Sequence, residues 1–216
     1  MPILLYCMTE VDSASEIATL PPGMGEAPVE SLAEGGVRCF YSRVEDLLAN
    51  ADSFRAEALR FHAVLREILG HVTVLPFRFP TLLQTDSEFG EFLASQAPAY
   101  LEDLRRLRGM IQMEIRISTE VDRPNPQSGK QYMEARAAQA RALDAHAGTA
   151  LAAARDLITQ WRARSEPGGL RCYALVRREQ TAAFEERMRL LTPLQNGKMV
   201  VSGPWPPSEF LHVQST

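Results

Sequence analysis

The sequence predicts an α+β protein built from two sheet-and-helix domains. Short apolar or alternating segments, typical of strands, are interleaved with longer segments whose apolar residues recur every three or four positions. The chain has 216 residues, which is enough for two small domains. Its predicted strands and helices do not follow the regular alternation of a doubly wound parallel sheet. Together these observations favour two small sheets, each covered by helices.

The N-terminal half contains three predicted strands and two predicted helices. The strands are a continuous apolar run at 3–8, a segment at 37–41 after a glycine pair, and 72–75. Residues 20–36 are rich in proline and glycine, which predicts a loop with room for one short strand. Pro76 cannot donate a ladder hydrogen bond, so the third strand should end there or lie at a sheet edge.

The first helix presents an apolar face from Phe54 to Ile68 and should end at Gly70. The second is predicted at 86–108, where Pro98 should kink it or begin another helix. Gly109 stops this segment, and we place the domain division there. The predicted domains are therefore residues 1–109 and 110–216.

The C-terminal half begins with a strand at 111–117, in which isoleucine and methionine alternate with polar residues. A long helix or helical hairpin is predicted from Ser128 to about Arg164, with Gly148 as a candidate break. Its apolar stripe extends as far as Trp161. A strand at 170–177, a short amphipathic helix at 184–191, a strand at 198–202 and a proline-rich tail complete the chain.

Composition argues against several classes of function. The 23 basic and 27 acidic side chains give a net charge of −4, the wrong sign for a protein organised around nucleic-acid backbones. The chain has no apolar run near the roughly 20 residues of a membrane helix, and its N-terminal residues lack the basic leader of a signal peptide. These features predict a cytosolic protein that binds neither nucleic acid nor membrane.

The residues also give little sign of catalytic chemistry. The cysteines Cys7, Cys39 and Cys172 are far apart in strand-like segments, as expected of buried reduced thiols. None of the four histidines has metal-ligand spacing to another ligand residue. We find no nucleophile elbow, phosphate loop or dinucleotide fingerprint. The expectation is a protein without a cofactor or metal and without enzymatic activity.

Four segments resemble the GvpL/GvpF family of gas vesicle proteins. The first is a helix carrying Phe61-His62, followed by the strand-end motif Pro76-Phe77-Arg78-Phe79. The second is Ser128-Gly129-Lys130-Gln131-Tyr132-Met133, and the third is the glycine turn and strand at 167–176. The fourth is Gly203-Pro204-Trp205-Pro206-Pro207. Their order and spacing agree with the family over nearly the whole chain. Pro80 and Ser208 depart from it, because the family usually has glycine and an aromatic residue at these places.

The resemblance implies a fold, a role and partners. The fold would be an N-terminal ferredoxin-like domain and a C-terminal α+β domain. The role would be that of an accessory or minor structural protein in gas vesicle assembly. It would act in the cytoplasm at the gas vesicle, through contacts with the small amphipathic shell protein and with other accessory proteins. A ligand-sensing module that reuses ferredoxin-like domains is the alternative.

Five residues in these segments are candidates for partner or inter-domain contacts: Arg78, Phe79, Lys130, Tyr132 and Trp205. Arg78 either forms a buried pair with a carboxylate or contacts a partner. Trp205 either clamps the stiff tail onto the body or binds a partner. Lys130 is unfavourable at a helix N-terminus, so it is either an exposed lysine or a contact residue.

Overall fold

The structure is a computed structural model that describes residues 1–13, 17, 19–45, 51–119, 128–191 and 197–212. These residues form two four-stranded antiparallel sheets and four α-helices, so the predicted α+β class is confirmed. The chain divides into two compact units. One unit is Met1–Gly109 together with the segment that starts at Pro206, and the other is Met110–Trp205. The proline-rich tail therefore packs with the first unit, whereas the sequence analysis assigned it to the C-terminal domain.

The first unit has the strand order β2-β3-β1-β4. Its elements are β1 (Ile3–Glu10), β2 (Glu30–Glu34), β3 (Val37–Arg43), α1 (Ala51–His71), β4 (Leu75–Leu83) and α2 (Asp86–Arg106). The possible short strand in the loop at 20–36 is β2, which forms a hairpin with β3. Both helices follow the hairpin, so the elements succeed one another as βββαβα.

The two helices of this unit cover opposite faces of its sheet. Tyr41 and Ser42 are consecutive in β3 and so point to opposite faces. The Tyr41 ring meets Phe89 of α2, with ring centroids 4.9 Å apart. Ser42 lies on the other side, where its hydroxyl accepts a 3.0 Å hydrogen bond from Tyr6, whose ring stacks on Phe61 of α1. Covering both faces explains why β1 is a continuous apolar run.

Three prolines of this unit, Pro76, Pro80 and Pro98, lie inside a strand or helix instead of ending it. Pro98 lies inside α2, which is one helix from Asp86 to Arg106, so the prediction of a second helix there is wrong. Pro76 and Pro80 both lie within β4. Because β4 is an edge strand, the missing backbone N–H groups remove no ladder bond that the sheet core needs.

The second unit has the strand order β6-β7-β5-β8. Its elements are β5 (Met110–Thr119), α3 (Gly129–Ala153), β6 (Ile158–Glu166), β7 (Gly169–Arg177), α4 (Thr181–Leu190) and β8 (Gly197–Trp205). This βαββαβ succession is the one that characterises a ferredoxin-like fold. The resemblance led us to expect it in the N-terminal domain, but the chain places it in the second unit.

Both helices of the second unit cover the apolar face of its sheet. The residues of β5 that alternate with polar ones, from Ile111 to Ile117, are at most 1% exposed. Met188 of α4 and Met113 of β5 line one small cavity. Asp144 of α3 lies close enough to Cys172 to contribute to the raised pKa of that thiol. The opposite face carries the charged residues of β5 and β7, among them Glu114, Arg116 and Arg171.

The predicted long helix from Ser128 to Arg164 is correct in its first part and wrong in its second part. Helix α3 begins after Ser128, as predicted, but ends at Ala153. Residues from Ile158 onwards form the edge strand β6, and Trp161 belongs to that strand. The turn is held by Arg187 of α4, whose guanidinium donates to the carbonyl oxygen of Ala153 at 3.2 Å and pairs with Asp156. Gly148 does not break the helix.

Candidate functional site

Arg78 lies on the open edge of the first sheet. Strand β4 pairs with β1 on one side and with no other described strand. The Arg78 side chain is exposed, so the interpretation of a buried ion pair is wrong. Among the described residues no carboxylate lies within salt-bridge distance of its guanidinium. Its carbonyl oxygen accepts a 2.6 Å hydrogen bond from the Thr81 hydroxyl, which holds the local backbone.

Phe79 forms an aromatic cluster that is partly in water. Its ring centroid lies 5.2 Å from that of Phe54 and 5.1 Å from that of Phe61. Phe61 is 1% exposed and belongs to the core, whereas Phe54 is 41% exposed. We call Phe54, Arg78 and Phe79 the β4 edge patch. It combines apolar rings and a cation on an edge strand, which together suit binding of another polypeptide.

Trp205 is not the anchor of the tail. It is the last residue of β8 and is 43% exposed, and its indole N–H donates to the Ser202 hydroxyl at 3.3 Å. The clamp interpretation is therefore wrong for Trp205. Phe210 anchors the tail instead, because its side chain is fully buried.

A buried carboxylate fixes the tail to α2. Asp103 is 1% exposed and accepts a 2.8 Å hydrogen bond from the backbone N–H of His212. The guanidinium of Arg106 donates to the same carboxylate at 3.2 Å through Nε, and to the carbonyl oxygen of Phe210 at 2.7 Å. The sequence analysis missed this arrangement. The spacing Asp103 to Arg106 is a signal of an ion pair, but only the fold shows that the tail completes it.

Lys130 and Tyr132 lie in the first turn of α3. Ser128 caps this helix by accepting a hydrogen bond from the backbone N–H of Gln131 at 3.3 Å. Lys130 is exposed, and its ammonium nitrogen lies 3.9 Å from a carboxylate oxygen of Glu134. A surface pair at this distance contributes about 0.3–0.5 kcal/mol at most. Tyr132 is 50% exposed.

Tyr132 borders a groove of about 720 Å³ within the second unit. One wall is α3, and the other is the turn between β6 and β7. The wall on α3 consists largely of small or apolar residues, with Arg136 and Asp144 among them, and Glu166 lies on the opposite wall. Of the five candidate residues, Arg78 and Phe79 are neighbours on β4 in the first unit. In the second unit, Lys130 and Tyr132 lie at the start of α3 and Trp205 ends β8.

The described residues contain no arrangement that would bind a metal ion. No group of three or more His, Cys, Asp or Glu side chains is positioned for it. Burial raises the pKa of Cys7 well above its ordinary value, and it raises the pKa of Cys172 to about 11. Protonated buried thiols are poor nucleophiles. Within the described part of the chain, no helix is both long and apolar enough to cross a membrane.

These features define a two-unit α+β protein with a partly exposed patch on an edge strand. The sequence matches the gas vesicle synthesis protein GvpL/GvpF family over residues 2–157 and 125–212. The chain therefore belongs to that family, and the resemblance noted in the sequence is confirmed.

Solved structures with the same fold agree with this assignment. The crystal structure of the gas vesicle protein GvpF from Microcystis aeruginosa superposes with a TM-score of 0.80 at 15% identity, covering 97% of this chain and 98% of that one. GvpF from Anabaena sp. PCC7120 gives a TM-score of 0.73 at 15% identity, covering 99% and 97%. No curated protein sequence matches significantly. At this identity the structural likeness establishes the fold.

Proposed function

We propose that this protein takes part in gas vesicle assembly, in the cytoplasm at the vesicle, by binding the small shell protein through the β4 edge patch. Membership of a family of gas vesicle synthesis proteins supports the general role. The patch supports the mode of binding, and it includes Arg78 and Phe79 of the motif on which the resemblance partly rests.

The exposure of Arg78 on an edge strand, beside the half-buried ring of Phe79 and the exposed ring of Phe54, is the observation that carries this proposal. An edge strand offers backbone N–H and C=O groups that an extended segment can pair with. The rings of Phe54 and Phe79 offer apolar area beside those groups, and burying it against an amphipathic partner contributes about 25 cal/mol per Å². Arg78 adds a fixed positive charge, which orients a partner with an acidic side chain.

Co-purification with the small shell protein tests the proposal. Arg78→Glu reverses the charge of the patch without removing buried atoms, so we expect the fold to persist and the shell protein to be lost from the complex. Arg66→Glu is the matched control, because Arg66 is also exposed but lies on α1 outside the patch. Equal retention of the shell protein by both variants would refute the patch, and no retention by the unaltered chain would refute the function.

A ligand-sensing role is the second candidate, and the groove beside α3 is the feature that favours it. Ligand pockets combine apolar walls with a few polar groups, which is how Tyr132, Arg136 and Asp144 are placed there. This role predicts that a small metabolite raises the melting temperature of the unaltered chain but not that of Tyr132→Ala. A panel of nucleotides and organic acids that leaves both unchanged would count against it.

A further inference from the structure

A cavity lined by methionines lies between α4 and the edge strand β8 of the second unit. Its volume is about 290 Å³. Three buried methionines contribute to its walls: Met113 of β5, Met188 of α4 and Met199 of β8. Glu185 and Arg189 of α4 also line it and are exposed, so they form its rim at the surface. We call this space the methionine cavity.

The size and lining of the methionine cavity suit it to receive an aromatic ring. Protein interiors contain few voids larger than a water molecule, so packing alone does not call for a space of this volume. An apolar cavity of about 150 Å³ accommodates benzene, and this one is larger. Methionine side chains are flexible and polarizable, and their sulfur atoms make favourable contacts with aromatic rings.

The other face of β8 carries exposed apolar side chains. Val200 and Trp205 pair with residues of β5 that alternate with its buried isoleucines and methionine, so they face away from α4. They are 44% and 43% exposed. The indole N–H of Trp205 donates to Ser202, which also lines the methionine cavity, so the ring lies close to that cavity. Strand β8 therefore has binding area on both faces.

The position of β8 in the sheet favours an extended polypeptide as the occupant. Strand β8 pairs with β5 on one side and with no other described strand. An edge strand offers backbone groups with which an extended segment can pair. Lys198 and Pro204, residue types that discourage unwanted pairing along an edge, flank the segment next to the cavity. The edge thus suits one short segment and not continued growth of the sheet.

The rim of the methionine cavity is acidic. No cation among the described residues lies within salt-bridge distance of the Glu185 carboxylate. Arg189, the cation of the rim, is held by Glu186 instead: its Nε and Nη2 donate to the two oxygens of that carboxylate at 2.9 Å and 2.6 Å. A basic side chain of a ligand would therefore be attracted to Glu185.

We propose that β8 and the methionine cavity bind an extended segment of a partner protein, anchored by an aromatic side chain with a basic residue two positions away. Successive side chains of an added strand point to opposite faces. The anchor and the basic residue would then both face α4, with the ring in the methionine cavity and the cation at Glu185. The residue between them would cover Val200 and Trp205. This surface lies in the second unit and does not depend on the β4 edge patch.

Fluorescence anisotropy with the full chain tests this inference. The probe is a labelled nine-residue peptide, as long as β8, with the sequence Ser-Thr-Val-Phe-Val-Lys-Val-Thr-Ser. We expect saturable binding that weakens when Ala replaces the Phe, when Glu replaces the Lys, and when alternate backbone nitrogens are methylated. Absence of binding, or equal affinity of the Ala peptide, would overturn the inference. So would binding of N-acetylphenylalanine amide as tight as that of the peptide, because the cavity would then be a site for small molecules.

The fluorescence of Trp205 locates the bound peptide. The chain has two tryptophans, Trp161 and Trp205, so Trp161→Phe leaves Trp205 as the single reporter. Saturating peptide should shift its emission to shorter wavelength, because the indole is 43% exposed in the free protein and would be covered in the complex. Binding without any change in this emission would place the peptide elsewhere and contradict the proposal.

A pair of charge reversals separates recognition from folding. Glu185→Lys should weaken binding of the peptide by about tenfold or more, because an attractive contact becomes repulsive. Its melting temperature should stay close to that of the unaltered chain, since Glu185 is exposed. This variant should in turn prefer the peptide in which Glu replaces the Lys. Glu179→Lys makes the same charge change at an exposed residue before α4, outside the cavity lining, and should bind like the unaltered chain. Equal affinity of the two variants would contradict the proposal, whatever the outcome of the shell-protein experiment.

Discussion

Replacing Asp103 with alanine should release the C-terminal tail from the first unit. The carboxylate is 1% exposed, and it accepts hydrogen bonds from the Arg106 guanidinium and from the backbone N–H of His212. The substitution leaves these donors without their acceptor and withdraws the support for Phe210, whose side chain is fully buried. The tail should then leave its site at a lower cost than global unfolding.

The magnitude follows from the burial of the two partners. Hydrogen bonds to a charged group contribute about 1.5–3 kcal/mol each, and breaking a buried pair costs about 3–5 kcal/mol. The Arg106 side chain is 25% exposed, so water recovers part of its loss. We therefore expect about 3 kcal/mol. In a chain of this length that lowers the melting temperature by about 6–12 °C.

Thermal unfolding and chymotrypsin digestion measure the two effects. Chymotrypsin should cut after Phe210 in Asp103→Ala but not in the unaltered chain, because the buried ring is inaccessible to the protease. Asp86→Ala is the matched control: this aspartate also pairs with an arginine, Arg43, but its side chain is 72% exposed. Its loss should leave the melting temperature close to that of the unaltered chain, because an exposed ion pair contributes little. If both variants melt together and both resist chymotrypsin, Asp103 does not hold the tail.

Two further predictions concern the cores of the units. In the native protein the three free thiols should react very slowly with Ellman's reagent at pH 8 and promptly after unfolding, because burial raises the pKa of each. Fast reaction of Cys7 in the native protein would contradict its buried position in β1. Gly169→Ala should destabilise the second unit by about 1–3 kcal/mol or more, since the new Cβ would lie 2.4 Å from the carbonyl oxygen of Ile117. Gly148→Ala should instead stabilise α3 by about 0.5–1 kcal/mol, because nothing lies within 4 Å of its Cβ position. Thermal melts followed by circular dichroism compare the two glycine variants. A higher melting temperature for Gly169→Ala than for Gly148→Ala would contradict the packing described for both positions.

The sequence predicts best those elements whose patterns are local. The alternation in β5 indicates a strand with one buried face, and the apolar run of β1 indicates a strand with two buried faces. Both strands can therefore be predicted from the sequence. Family motifs then identify Arg78 and Phe79, and the structure shows that they lie on an open edge.

Elements whose limits depend on distant contacts were missed. The stripe from Leu143 to Trp161 keeps a helical period across the true end of α3, and no glycine or proline marks that end. Arg187, more than thirty residues away, satisfies the terminal carbonyl of Ala153. Strand β6 was lost with that error, and with it the cross-strand pairing of β6 with β7.

The tail shows the same limit. Trp205 is the larger and more conspicuous residue, and its size made a clamp of the tail one of the two interpretations offered for it. The anchor is Phe210, because Arg106 holds its carbonyl oxygen and Asp103 holds the backbone N–H of His212 two residues later. Neither interaction has a local signature, since the residues are separated by more than one hundred positions.

Restoration of gas vesicles in cells tests the central claim most directly. The host carries a gas vesicle gene cluster from which only the gene for this protein is deleted, and vesicles are measured as light scattering that is lost on pressure collapse. We predict that the unaltered chain and Arg66→Glu restore the signal and that Arg78→Glu does not. Full restoration by Arg78→Glu, at equal protein levels, would contradict the claim that the β4 edge patch binds the shell protein during assembly.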